Sequence, residues 1–141
     1  ASKRNSIIRP MEKNQKVSKI IRTKNEDNWL EACLKGIRLQ SYKNYEIIIV
    51  DNGSKDRTLE IAKKYETKIV KIKKFIPGKA INDGIKASNG KIIVCLSAHC
   101  IPTDNDWLKN LIKPLKNKKV AGCYGRQKPL AYSITEWLFY F

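Results

Sequence analysis

Apolar residues in this chain alternate between two kinds of pattern: short consecutive runs rich in β-branched residues, and stripes at helical spacing. Lys19-Ile20-Ile21-Arg22 reads as a short strand, with Thr23 to Asp27 as the turn leaving it. Trp29, Leu30, Cys33, Leu34, Ile37 and Leu39 then recur at the three- and four-residue spacing of a helix. Asp27 or Asn28 is placed to cap that helix. Tyr45 to Val50 is a continuous run of the kind found in strands covered on both faces of a parallel sheet. It ends in the turn cluster Asp51-Asn52-Gly53-Ser54.

Ser54 or Asp56 can cap the next helix, which carries Leu59, Ile61 and Ala62 to Tyr65, and Thr67 to Ile72 forms a third strand. A helix from Lys79 to Ala87 stops at Ser88-Asn89-Gly90. Ile92 to Leu96 is a second fully apolar strand, ending at Ser97-Ala98-His99-Cys100. Pro102 leads into a helix capped by Thr103 or Asp104, which runs through Trp107, Leu108, Leu111 and Ile112 with Pro114 near its end. Val120 to Tyr124 is predicted as a last strand, and the aromatic-rich tail from Tyr132 to Phe141 as a helix in need of a partner surface.

Strands alternating with helices predict an α/β fold with an open, mostly parallel sheet flanked by helices. Residues 1–16 read as a flexible basic arm, 17–126 as the folded unit, and 127–141 as an aromatic segment beyond it. In such sheets ligands bind outside the carboxyl ends of the strands. That rule selects Thr23 to Asp27, Asp51 to Ser54, Phe75 to Lys79 and Ser97 to Cys100, and polar residues collect at all four places.

With 42% hydrophobic and 30% charged residues over 141 positions, the chain has the composition of a globular domain. No apolar run reaches the roughly 18 residues that span a bilayer, and no signal peptide opens the sequence, so a cytoplasmic location is expected. Docking onto the inner face of a membrane stays open. Lys and Arg number 29 against 13 acidic residues, a net charge of +16. That excess favours anionic partners, or else a solvated basic surface. The four cysteines are too widely spaced for a zinc site, and Cys33, Cys95 and Cys123 lie in apolar stretches as small core residues would.

Asp51 closes a buried strand, where a carboxylate is costly unless paired. Either the turn's own amides satisfy it, or it accepts a hydrogen bond from a nucleobase or a ribose. Gly78-Lys79-Ala80-Ile81-Asn82-Asp83-Gly84-Ile85 opens a helix, and the phosphate loop of nucleotide hydrolases is absent. His99, the one histidine, falls at the tip of a strand, as either a structural residue or a ligand.

The order and spacing of these pieces say more than any one of them. Arg22-Thr23-Lys24-Asn25-Glu26, Leu34 to Gln40 with Ser41-Tyr42, Tyr45 to Asp56, Ala80 to Ile85 and Ser88 to Leu96 together resemble the amino-terminal part of family-2 glycosyltransferases with the Rossmann-like GT-A fold. The resemblance implies a nucleotide-sugar site, with a UDP-sugar as donor and an unknown acceptor. It places the nucleoside at Thr23, Asn25, Glu26 and Asp51, with Asn52, Lys79, Asn82 and Ser97 around the same pocket. It also implies inversion at the anomeric carbon, with a carboxylate base on the acceptor side. That base lies further downstream than any carboxylate here, so none is assigned and the chain reads as truncated before its acceptor region. Gly125-Arg126-Gln127 resembles the segment leading there, and Arg126 would face the diphosphate or the acceptor.

Two departures stand out. The family's metal-bearing Asp-x-Asp is here Ser97-Ala98-His99, and an Arg common in the Asn82 motif is Ile81, with Lys79 nearby. Ser and imidazole suit Mg²⁺ poorly. Mn²⁺ on His99 and the diphosphate is one solution; Lys or Arg neutralising the diphosphate is another. The alternatives are a nucleotide-binding module without turnover and, less well supported, a basic nucleic-acid-binding domain. The latter is weakened because the aromatic residues do not interleave with the lysine clusters. Self-association through the aromatic tail is expected.

Overall fold

The computed structural model describes residues 14–126 and 128. Residues 1–13 of the basic arm and the aromatic tail therefore lie outside the described residues. The elements run β1 (Val17–Thr23), α1 (Leu30–Arg38), β2 (Tyr45–Asp51), α2 (Thr58–Lys64), β3 (Lys68–Lys71), α3 (Pro77–Lys86), β4 (Ile92–Ser97) and α4 (Trp107–Ile112), followed by a 3₁₀ turn over Lys113–Lys116. All strand pairs are parallel, in the order β3-β2-β1-β4. The first strand of the chain is thus central. This is the open α/β sheet expected from the sequence.

Side chains alternate across the sheet. Val17, Ile21, Ile47, Ile49, Ile92, Val94 and Leu96 face a core completed by Leu30, Cys33, Leu34, Ile37, Ile61, Ala62, Leu108 and Ile112 from α1, α2 and α4. The opposite face buries Ile20, Ile48 and Val50 against Ala80 of α3. Gly84 makes that second contact possible, because a Cβ there would sit 2.6 Å from Ile20 Cγ2 and 2.9 Å from Val50 Cγ2. Gly84→Ala is expected to push α3 off the sheet and cost about 1–3 kcal/mol. Urea unfolding should show a lower midpoint at unchanged slope.

The lower end of the sheet is latched by Glu46. Its Oε1 accepts from Ser18 Oγ at 2.5 Å and from the backbone N–H groups of Asn89 and Gly90 at 2.5 and 3.1 Å. Desolvation pushes this carboxyl up, but the bonds from Ser18 and Asn89 and the Lys16 ammonium outweigh it and hold it down at about 2. The latch fixes the loop that feeds β4 into the sheet.

Several local expectations are corrected. α1 starts with no side-chain cap, because Asp27 is drawn across to α2, where its Oδ2 lies 3.6 Å from Arg57 Nε. At α2 the N-cap position falls to Arg57, with no side-chain cap bond, and not to Ser54 or Asp56; Asp56 Oδ1 accepts the Thr58 N–H at 2.9 Å from just before the helix. The α4 cap is neither Thr103 nor Asp104: buried Gln40 reaches over and accepts the Leu108 N–H at 2.9 Å. Pro114 ends the α-helix by falling in the 3₁₀ turn.

Residues 120–126 form no strand. They run beside the outer edge of β4 and, with α4, enclose a groove of about 700 Å³ lined by Ile92, Val94, Leu96, Trp107 and Leu111. No ladder bonds join them to β4, and Val120 instead donates to Asn117 O in a local turn. Cys95 and Cys123 are exposed, whereas Cys33 and Cys100 are buried. Cys95 lies on the same side of the sheet as Ile20, where α3 packs over β1 and β2 and leaves this part of edge strand β4 open, and Cys123 belongs to the segment without ladder bonds.

One core residue runs against the polarity pattern. Lys19 is fully buried, with its Nζ 3.9 Å from the centre of the Tyr45 ring. Among the described residues its ammonium has no hydrogen-bond partner. Desolvation drives it down to about 7, with Cys33 opposing and Lys43 adding to the shift.

Candidate functional site

The parallel order brings the carboxyl ends of β1, β2 and β4 side by side, with Thr23 opposite Asp51 and Arg22 opposite Ser97. Asp51 is buried, with only 1% of its surface exposed. Its Oδ1 accepts from Thr23 Oγ1 at 2.8 Å and from Ser54 Oγ at 2.5 Å, and its Oδ2 accepts the Ser54 N–H at 2.9 Å. Of the two roles left open by the sequence, this geometry displays the first: the turn's own groups satisfy the carboxylate. Gly53 gives the turn its shape by taking a φ of +71°.

The loop after β1 is stitched to the loop after β2. Asn25 occupies the left-handed region at φ 53°, which asparagine tolerates. From there its N–H donates to Ser54 Oγ at 2.9 Å, and its Oδ1 accepts the Lys55 N–H at 2.8 Å. The Glu26 N–H donates to Thr58 Oγ1 at 2.8 Å, and the Asn52 N–H donates to Thr23 O at 3.0 Å. Glu26 then reaches the third strand end, its Oε1 lying 3.7 Å from His99 Nδ1. His99 is held from below by Ser97, whose Oγ is 3.2 Å from the ring nitrogens.

Thr23, Asn25, Glu26, Asp51, Asn52, Ser97 and His99 therefore form one connected surface. Lys79, Asn82 and Arg126 do not join it by any hydrogen bond or ion pair among the described residues. The Lys79 ammonium is engaged by Asp83 at 2.7 Å. Asn82 is exposed on α3, two positions from both Ala80 and Gly84, and so roughly opposite the sheet-facing side. Arg126 is exposed near the end of the described residues.

Ser54 and Thr58 carry much of the network; Ser54 was legible in the sequence only as a turn and cap residue, and Thr58 was not singled out. Arg22 was legible only as the end of a strand. The signal that singles it out is its register with Ser97, which requires the strand order.

Glu26 and His99 are two donors about one ion's reach apart. No group of three or more His, Cys, Asp or Glu side chains is placed to hold a metal ion among the described residues. An imidazole, one carboxylate and a hydroxyl fall short of the carboxylate-rich oxygen shell that Mg²⁺ takes. No helix among the described residues is long and apolar enough to cross a membrane.

Comparison with known proteins agrees with this architecture. The sequence profile of the family described as Glycosyl transferase family 2 matches residues 18–136. The chain is 37% identical over 112 residues to the dolichyl N-acetyl-alpha-D-glucosaminyl phosphate 3-beta-D-2,3-diacetamido-2,3-dideoxy-beta-D-glucuronosyltransferase of Methanococcus voltae, covering 73% of this chain and 35% of that protein. It is 33% identical over 112 residues to glycosyltransferase AglE of Haloferax volcanii, covering 74% and 36%. The chain thus spans about a third of the length of these curated relatives.

Among solved structures, the mannosyltransferase PcManGT of Pyrobaculum calidifontis, in complex with GDP-Man and Mn²⁺, superposes with a TM-score of 0.67 at 24% identity, over 74% of this chain and 34% of that one. TarS 1-349 of S. aureus, in complex with UDP-GlcNAc, superposes with a TM-score of 0.63 at 24% identity, over 70% and 31%. The fold is the GT-A fold of these enzymes, represented by the part that contains the strand ends described above. By profile, relatives and architecture, the chain belongs to glycosyl transferase family 2.

Proposed function

We propose that this chain carries the donor-binding part of an inverting glycosyltransferase that uses a nucleoside diphosphate sugar, with a UDP-sugar as the first candidate. The observation that supports the reading is the connected polar surface over the ends of β1, β2 and β4, in a chain of this family. The nucleoside would lie over Thr23, Asn25, Asn52 and the turn organised by Asp51, and the diphosphate would extend towards Ser97 and His99. In the reaction an acceptor hydroxyl attacks the anomeric carbon as the bond to the diphosphate breaks, and its proton passes to a general base. That role is assigned to no residue of this chain. Because Ser97, His99 and Glu26 do not make a Mg²⁺ site, no step is routed through a metal.

A thermal-shift series tests the reading. A nucleoside diphosphate at a hundredfold excess over its Kd stabilises by about 2.7 kcal/mol, a rise of roughly 10 °C for a domain of this size. UDP, GDP, dTDP and their sugars are compared with random-sequence DNA. A shift with one of the nucleotides supports donor binding. Flat melts with every nucleotide, alongside tight and steeply salt-dependent DNA binding, would overturn it in favour of a nucleic-acid-binding domain. The replacement of Asp-x-Asp by Ser97-Ala98-His99 favours one further reading, a nucleotide-binding module without turnover. That reading predicts the shift without hydrolysis or transfer.

A further inference from the structure

Arg22 is the penultimate residue of β1, on the face that carries Ile20 towards α3. Its partner on β4 is Ser97, and register partners in a parallel sheet project on the same side. Arg22 and Ser97 therefore leave the sheet on the same side from adjacent strand ends, and Ser97 in turn holds His99. Phe75, 45% exposed, backs it from the loop before α3, with the guanidinium carbon 5.8 Å from the ring centre. Arg22 is partly buried, and among the described residues its guanidinium has no hydrogen bond and no ion pair.

Two other cations near these strand ends have acidic partners, whereas Lys24 and Lys55 extend into solvent. Lys79 is held by Asp83 and Arg57 faces Asp27. A guanidinium offers five donors and no acceptor. Leaving it partly desolvated without an anion is unfavourable, and its planar fork suits phosphate oxygens.

We infer that Arg22, steadied by Phe75 and on the same side of the sheet as Ser97, receives the donor's diphosphate directly, one strand away from Ser97-Ala98-His99, where other family members place metal-bearing carboxylates. The inference rests on the donor reading above and adds the group that neutralises the phosphate charge. An acidic pair requires a cation between itself and a diphosphate, whereas an arginine at the same strand ends does not.

Calorimetry with UDP, GDP, inorganic pyrophosphate and the free nucleosides uridine and guanosine tests it, in buffer containing either EDTA or Mn²⁺. The proteins compared are the unmodified chain, Arg22→Gln and Arg22→Lys, each checked by its melting curve. The expected result is diphosphate binding that persists in EDTA and falls about ten- to hundredfold in Arg22→Gln. Arg22→Lys, which keeps the charge but not the fork, should recover part of it, and nucleoside affinity should not change. Equal diphosphate affinity in Arg22→Gln and the unmodified chain, or binding that appears only with Mn²⁺, overturns this inference alone. Equal losses of nucleoside and diphosphate affinity in both variants also overturn it, because the effect would then not be on phosphate. If the unmodified chain binds none of these ligands in either buffer, the donor reading fails and takes this one with it.

Discussion

Lys19→Met is expected to raise the melting temperature at pH 7 by roughly 8 °C, or about 2 kcal/mol. The lysine is fully buried and its ammonium lacks a hydrogen bond. Methionine has a similar length and no polar atom to desolvate. Losing the contact with the Tyr45 ring, worth about 2 kcal/mol at a desolvated site, offsets part of the gain. The pH dependence gives a second and sharper readout. Desolvation lowers Lys19 from 10.5 to about 7 in the folded chain, so between these values the unfolded chain binds more protons and stability rises with pH.

From pH 7 to pH 9 that term amounts to about 2 kcal/mol, and it is absent from the variant. The advantage of Lys19→Met should therefore shrink towards zero by pH 9. Cys33 sets the upper limit of the window. Desolvation, with Cys100 adding to it, raises its thiol from 9.0 to about 12, so its contribution is intact below pH 9 and lost above. Paired melts at pH 7, 8 and 9 check the prediction. A lower melting temperature for the variant at pH 7 would mean that the ring contact outweighs the desolvation.

Asp51→Ala should be the most damaging substitution at the strand ends. It removes three hydrogen bonds to a buried carboxylate and leaves Thr23 Oγ1 and the Ser54 N–H without their acceptor. The expected cost is about 3–5 kcal/mol, read by denaturant unfolding. Nucleoside diphosphate affinity should fall at least about tenfold, because Ser54 accepts the Asn25 N–H and Asn25 in turn accepts the Lys55 N–H.

Asp51→Asn separates the two roles open to this residue. Its amide keeps an acceptor for the Ser54 N–H and can donate to the two hydroxyls, so about 1–2 kcal/mol should be lost. If Asp51 acts by organising the turns, the Asn variant retains most of its nucleotide affinity. If the carboxylate itself contacts the nucleoside, affinity falls in Asp51→Asn while stability holds.

The parts of the molecule that were legible in the sequence are those where burial repeats along the chain. Ile47 to Val50 is buried at every position, and its uninterrupted apolar run announced a strand covered on both faces. The stripe of Leu30, Cys33, Leu34 and Ile37 likewise marked the core side of α1. What escaped depends on contacts between distant residues. Gln40 caps α4 from a position far earlier in the chain, and Asp27 is drawn to Arg57 instead of its own helix.

The pattern of Val120 to Tyr124 is strand-like, but a strand needs a ladder, and these residues have none. Cys95 lies in an apolar run yet is exposed, because no helix covers that part of the edge strand. Lys19 sits between Ser18 and Ile20 with nothing local to show that its ammonium would turn into the core. At the site, Asp51 and His99 could be picked out as residues at strand ends. That Arg22 stands beside Ser97 could not, since it follows from β1 pairing with β4.

The central placement of β1 bears on how the chain is made. Its two neighbours are synthesised later, β2 after one helix and β4 after two more helices and a strand. During translation the β1–α1–β2 unit can close first, while the other flank of β1 waits until residues 92–97 have left the ribosome. At about 5–20 residues per second that interval lasts roughly 2–9 s. Throughout it, a nascent chain displays an unpaired apolar strand edge, an invitation to chaperones and to neighbouring nascent chains alike.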